Sequence, residues 1–189
     1  MNGTTGIPGA TKKQVIGLFG FGVVGEGIYQ VLQQTPSLNA HVKTICIKDP
    51  HKKRSIDPSW FTTDYDAILN DPDINLVVEL ISDADEAFHI VTTAMKNGKG
   101  VVSANKKMIA EHFTELLLLQ QQCGVPFLYE AAVCGSIPII RNLEEYFDND
   151  LLHGICGIVN GYQLYPHPHG KRGHQFRRLP QGRAGPGLC

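Results

Sequence analysis

Three glycines in the order Gly20-x-Gly22-x-x-Gly25 stand between a short apolar run, residues 15–19, and a stretch in which Val24, Ile28, Val31 and Leu32 recur at helical spacing. No other part of the chain constrains the fold as much. A strand that turns through glycine directly into an amphipathic helix opens a β-α-β unit, and each glycine has its own task there. Gly20 permits the tight turn, Gly22 lets the backbone approach a pyrophosphate, and Gly25 lets the helix pack closely on the strand. The helix N-terminus then offers free N–H groups and about half a positive charge to an anion. The turn reads as a dinucleotide site, the alternative being a purely structural strand-to-helix turn.

The same alternation continues down the chain. Strands are expected at residues 41–47, 76–81, 100–103, 125–129 and 152–159. Between them lie a short helix over 63–69, capped by Thr or Asp, and a helix with Ala87, Ile90, Val91 and Ala94 inward that stops at Asn97-Gly98. A helix over 107–122 turns Ile109, Phe113, Leu116 and Leu117 inward, and another runs from Ser136, with Pro138 in its first turn, to Tyr146. Strands alternating with helices at this spacing imply right-handed crossovers and a Rossmann-like, doubly wound parallel sheet of the α/β class.

Charge narrows the function classes. Against 18 Asp+Glu stand 17 Lys+Arg, so there is no global basic field to hold nucleic acid or an anionic membrane, and a small-molecule nucleotide is the expected partner. Lys12 and Lys13 before residues 15–24 imitate a signal peptide, but three glycines within that run and Glu26 just after it argue against one. No apolar stretch approaches the roughly 20 residues that span a bilayer. The five cysteines are odd in number and scattered, as expected of reduced thiols in a cytoplasmic protein.

Further candidates lie where strands end. About twenty residues after the glycines, an acid would bind the adenosine ribose and a base would accept a 2'-phosphate. The chain offers both, Lys48 and Asp49, followed by Lys52, Lys53 and Arg54, so NAD and NADP both stay open. Ser103-Ala104-Asn105-Lys106 follows the fourth strand, and a lysine opening a helix conflicts with the dipole by about 0.3–1 kcal/mol unless an anion binds there. Glu130 suits a hard cation or a ribose hydroxyl. Cys134 is a candidate nucleophile without a nearby activating His, and His167, His169 and His174 lack the spacing of a metal site.

The stretches VIGLFGFGVVGEG, LVVELI, GKGVVSANKKMIA, YEAAVCGSIPIIR and GIVNG, in this order over residues 14–161, resemble the nucleotide-binding domain of homoserine dehydrogenase. The resemblance implies NAD(P)-dependent interconversion of L-homoserine and L-aspartate 4-semialdehyde, within threonine, methionine and isoleucine biosynthesis. By motif it implies cofactor contacts at Phe21, Val23, Val24, Lys48, Ser103 and Lys106, beside Gly20, Gly22 and Gly25. It also implies a monovalent cation such as Na+ at Glu130, Val133, Gly135 and Ile137. The family's substrate-gripping acids, acid/base lysine and dimerising region lie downstream of the matched part, so no catalytic residue is assigned and this chain is expected to be inactive.

The last 29 residues change character: residues 161–189 hold no Asp or Glu, five Lys+Arg and ten Gly+Pro, and the first 160 carry a net charge of -6. Read one base out of frame, permitted codons for residues 162–189 give a string opening on Thr-Asn-Tyr, which is how the resembled family continues after GIVNG. A frameshift just after Gly161 is therefore expected, with residues 1–13 and 162–189 disordered around a domain at 14–161. The competing reading is a non-catalytic nucleotide-binding fragment whose basic tail contacts a protein or RNA. A different Rossmann oxidoreductase is disfavoured by the SANK and EAAVCGSIP stretches together.

Overall fold

The structure is a computed structural model that describes residues 13–147 apart from 134 and 136. The chain divides into two compact units, one through Ala132 and one from Val133. The first holds a sheet of six parallel strands: β1 (Gln14–Phe19), β2 (Ala40–Cys46), β3 (Phe61–Thr62), β4 (Leu76–Glu79), β5 (Gly100–Ser103) and β6 (Phe127–Leu128). Its helices are α1 (Val23–Gln34), α2 (Asp66–Leu69), α3 (Ala84–Lys96) and α4 (Lys106–Cys123). The second unit contains α5 (Ile139–Tyr146), in which Arg141 pairs with Glu145 one turn on.

The strand order is β3-β2-β1-β4-β5-β6, so the winding direction reverses between β1 and β4. Open α/β sheets form their ligand crevice at such a reversal, beyond the carboxyl ends of the strands. Strand alternation sends the two faces into separate apolar clusters. Ile16, Leu18, Val42, Ile45 and Val78 pack beneath α1, while Phe19, Val77, Val101 and Phe127 pack with Ile90, Met108 and Leu116 of α3 and α4. Because both faces are covered, β1, β4 and β5 read as nearly unbroken apolar runs.

Several expectations are corrected in detail. Val24 and Val31 are 58% and 54% exposed, and α1 instead turns Gly25, Ile28, Tyr29 and Leu32 inward, because the tight contact of Gly25 with the Gly20 carbonyl sets the helix's rotation. In α4, Ile109 and Leu116 are buried as expected, whereas Leu117 is only half-buried and Phe113 is 39% exposed. His112 there has non-helical φ/ψ (-123°, 19°), and the kink breaks the periodicity that the pattern assumed. The short helix starts at Asp66, after Asp64 accepts the Asp66 N–H. β3 was not anticipated, since two residues carry no alternation. Pro138 stands just before α5 rather than in its first turn, its ψ of 69° being non-helical. The strand expected at 152–159, the terminal tails and the cysteine candidate Cys134 lie outside the described residues.

At the amino edge of the sheet, buried Lys99 donates to the carbonyl oxygens of Asp71 (2.5 Å) and Ile74 (2.8 Å), closing the approach to β4. Burial lowers its pKa, partly offset by Asp71. Replacing it by methionine keeps the aliphatic stem and strands two carbonyls. Lys99→Met is expected to lose about 1–3 kcal/mol in urea unfolding.

Candidate nucleotide-binding site

β1 ends at Phe19, and the chain passes through Gly20 at φ +98°, a conformation that L side chains rarely adopt. A Cβ on Gly20 would stand 3.1 Å from the Leu80 carbonyl oxygen, and one on Gly25 would collide with the Gly20 carbonyl oxygen. At Gly22 a Cβ would meet nothing within 4 Å. Two of the glycines are therefore demanded by the protein's own packing. The third is not, and its open face borders a cavity.

That cavity, about 400 Å³, lies at the reversal between β1 and β4, within the usual range for small-molecule sites. Gly20, Phe21 and Gly22 form its floor, Lys48, Asp49, Lys52 and Arg54 one side, and residues 80–83 with Glu86 the other. Phe21 is held by edge-to-face contacts with Tyr29 and Phe61, with centroids 6.0 and 5.2 Å apart. Lys48, 84% exposed, pairs loosely with Glu86 at 3.5 Å. Arg54 donates to the backbone oxygens of Lys52 (2.7 Å) and Asp49 (2.8 Å) and lies over the Phe61 ring, which fixes a cationic rim. Cys46 is buried at the cavity's base, and that burial pushes its thiol up to about 11, so it is no nucleophile.

Three long helices of the first unit begin at this edge, and their first turns differ. Asp83 accepts from Glu86 N (2.9 Å) to cap α3, and Asn105 accepts from Met108 N (3.0 Å) to cap α4. α1 has no side-chain cap, and its N-cap is Gly22. The donors of its first turn thus face the cavity floor with no side-chain acceptor of their own.

The residues expected as cofactor contacts divide accordingly. Gly20, Phe21, Gly22 and Lys48 line the cavity; Val23 and Val24 are exposed on the first turn of α1; Gly25 is buried beneath it. Lys106 is exposed at the start of α4 and does not line the cavity. Ser103 is fully buried, and its hydroxyl donates to Glu79 at 2.5 Å rather than facing the cavity. Glu130 opens a short 3-10 turn in the first unit, while Val133, Gly135 and Ile137 belong to the second. Among the described residues, no three His, Cys, Asp or Glu side chains converge as a metal site.

Comparison with known proteins decides the family. Residues 20–130 match the family model described as the NAD binding domain of homoserine dehydrogenase. The chain belongs to the homoserine dehydrogenase NAD-binding domain family. The homoserine dehydrogenase of Synechocystis is 39% identical over 157 residues, and that of Bacillus subtilis 34% over 155, covering 79% and 77% of this chain. The chain spans about 36% of the length of each. A crystal structure of a homoserine dehydrogenase from Thiobacillus denitrificans superposes with a TM-score of 0.66 at 34% identity, over 71% of this chain and 33% of that one. A hyperthermophilic archaeal homoserine dehydrogenase solved with NADPH matches at a TM-score of 0.60 and 22% identity, over 72% and 50%, a likeness of fold. An NAD-binding domain of Rossmann-like fold is thus established, and no described helix is long and apolar enough to cross a membrane.

Glu79 was not singled out as a candidate from the sequence. It ends β4, fully buried, with its carboxylate accepting from Ile81 N (2.8 Å) and Ser103 Oγ (2.5 Å) and with no ion pair to a cation among the described residues. Burial raises its pKa, and the two hydrogen bonds only partly oppose the shift. The available signal was an acid in the otherwise apolar run LVVELI. A carboxyl with a raised folded pKa binds more protons folded than unfolded between its two values, so its contribution to stability is present below about 4.5 and lost as pH rises through the folded value. The native chain should therefore gain stability relative to Glu79→Gln as pH is lowered through its raised folded value toward 4.5, read as the difference in urea midpoints.

Proposed function

We propose that the chain is the nucleotide-binding part of a homoserine dehydrogenase, holding NAD(P) with its diphosphate on the first turn of α1. The observation that carries this reading is the combination at Gly22: a helix N-terminus without a side-chain cap and clear space over the glycine. The bound nicotinamide would supply hydride for the interconversion of L-homoserine and L-aspartate 4-semialdehyde. The chain's own residues bind and orient it. The N–H groups of α1 and the Lys48 ammonium face the phosphates, Phe21 flanks the site, and the exposed Val23 and Val24 meet the ligand rather than the core. Lys106 offers charge from the start of α4, and Ser103 acts from beneath the wall. The rim cations Lys52 and Arg54 favour the 2'-phosphorylated form, NADP(H). No residue of this chain is assigned the acid/base or substrate-holding role, and the reading is confined to nucleotide binding. We place it in the cytoplasm and assign residues 162–189 to a shifted reading frame, which resequencing across the codons for residues 159–165 tests.

Gly22→Val puts a side chain into the open space over the turn. It is expected to cost about 1 kcal/mol of ligand-free stability, as a poorer helix N-cap, and to weaken NADPH binding by at least tenfold, measured by nicotinamide fluorescence. The native chain should bind NADPH more tightly than NADH in the same titration. Equal NADPH affinity for native and variant would remove the phosphate from the first turn of α1.

The cation assigned by resemblance to Glu130, Val133, Gly135 and Ile137 would serve a fixing role through one carboxylate and backbone oxygens. Sodium, against an equal ionic strength of tetramethylammonium, is expected to raise the melting temperature of the native chain but not of Glu130→Gln. No sodium effect on either would dismiss the site.

A further inference from the structure

Four polar or charged side chains among the described residues are buried: Glu79, Lys99, Ser103 and Asn105. Lys99 works at the amino edge of the sheet. The other three form one network beneath the cavity wall. Glu79 and Ser103 are register partners at the carboxyl ends of β4 and β5. The Ser103 hydroxyl donates to Glu79 Oε2 and accepts the Asn105 N–H (3.1 Å). Glu79 Oε1 takes the Ile81 N–H, and the Glu79 carbonyl takes the Ala104 N–H (3.1 Å). The Asn105 amide donates to the carbonyls of Ile81 and Asp83, each at 3.2 Å, while its oxygen caps α4. The segment gripped in this way, residues 80–83, is the cavity side opposite Lys48, and it ends at Asp83, the cap of α3.

The Ser103 hydroxyl has one hydrogen, and it is committed to Glu79. A serine in this state has no proton to offer a ligand, and its oxygen already accepts the Asn105 N–H. Its route to the cavity is through the wall it helps to hold. A buried carboxylate with no ion pair among the described residues is also a costly way to bind donors, since its desolvation goes uncompensated by an opposite charge. What ionisation adds is strength and directionality: charge-assisted bonds are shorter and about twice as strong as neutral ones.

We propose that Glu79 is a positioning residue of the nucleotide site, fixing residues 80–83 as its wall through the Ile81 N–H and the Ser103 hydroxyl, and that Ser103 serves the nucleotide only through Glu79. The proposal rests on the nucleotide reading above. In Glu79→Gln the amide keeps a single acceptor oxygen, so either the Ser103 hydroxyl or the Ile81 N–H meets another donor and the wall loses an anchor. Ser103→Ala removes the same bond from the other side.

The test is NADPH affinity of the full 189-residue chain as native, Glu79→Gln, Ser103→Ala and the double variant, with ligand-free melting measured alongside. Lys99→Met serves as a control for destabilisation at the opposite edge. Each single variant is expected to bind about tenfold more weakly. The double variant should bind no more weakly than the worse single, because both remove one bond. Lys99→Met should bind as the native chain does, although it melts lower. Native-like affinity in both single variants overturns the proposal, as do losses that multiply in the double variant, which would give Ser103 a contact of its own. Equal loss in Lys99→Met would reduce Glu79 to general stability. If Glu79→Gln does not fold, Ser103→Ala decides alone, native-like binding overturning the proposal. A native chain that binds neither NADPH nor NADH overturns the nucleotide reading itself, an outcome distinct from variants that bind equally.

Discussion

The contact between Gly25 and the carbonyl oxygen of Gly20 sets how the first helix meets the sheet. It brings the start of α1 closer to the end of β1 than any Cβ would allow, and so points the open first turn into the crevice where the winding reverses. The same contact fixes the helix's rotation. Gly25, Ile28, Tyr29 and Leu32 face the sheet, and Val23 and Val24 are left in the open. The exposure of two valines would be a small waste of apolar surface in a domain that only had to fold; at the nucleotide site proposed above, it would give a ligand apolar surface to cover.

A second asymmetry follows from which helices are capped. α3 and α4 satisfy a first-turn N–H with Asp83 and Asn105, and each cap is joined to Glu79: Asn105 through Ser103, Asp83 through Asn105. Among the three long helices of the first unit, only α1 starts without a side-chain cap. Local satisfaction of two helix ends makes the third the place where an anion gains most, since no described side chain caps it.

Much of this was legible in the residues. The glycine spacing located the turn, the apolar runs gave β1, β2, β4 and β5, and Asn97-Gly98 marked the end of α3 with Gly98 at φ +74°. What the pattern missed, it missed for physical reasons. Periodicity assumes an unbroken helix, and the kink at His112 shifted Phe113 out of the face assigned to it. It assumes that apolar residues choose the helix face, whereas in α1 a glycine chose it. β3 is too short to alternate. At the site, Gly20, Gly22 and Lys48 line one cavity, while Ser103 turns inward to an acid 24 residues earlier that sequence spacing cannot connect to it.

That last pairing shows why buried polar groups have to be counted in three dimensions. Lys99 and Glu79 are both charged residues inside a parallel sheet, and they solve opposite problems at opposite ends of it. At the amino edge the exposed ends of the chain are carbonyls, and an ammonium closes them. At the carboxyl edge the groups to be gathered are donors, the Ile81 N–H and the Ser103 hydroxyl, and a carboxylate closes them. The ammonium lies beside the backbone it serves. The carboxylate stands one residue from a cavity wall, so any change in its hydrogen bonds is passed on to a surface that a ligand can touch. Position in the sheet, more than charge or burial, separates a residue that holds the fold from one that shapes the site.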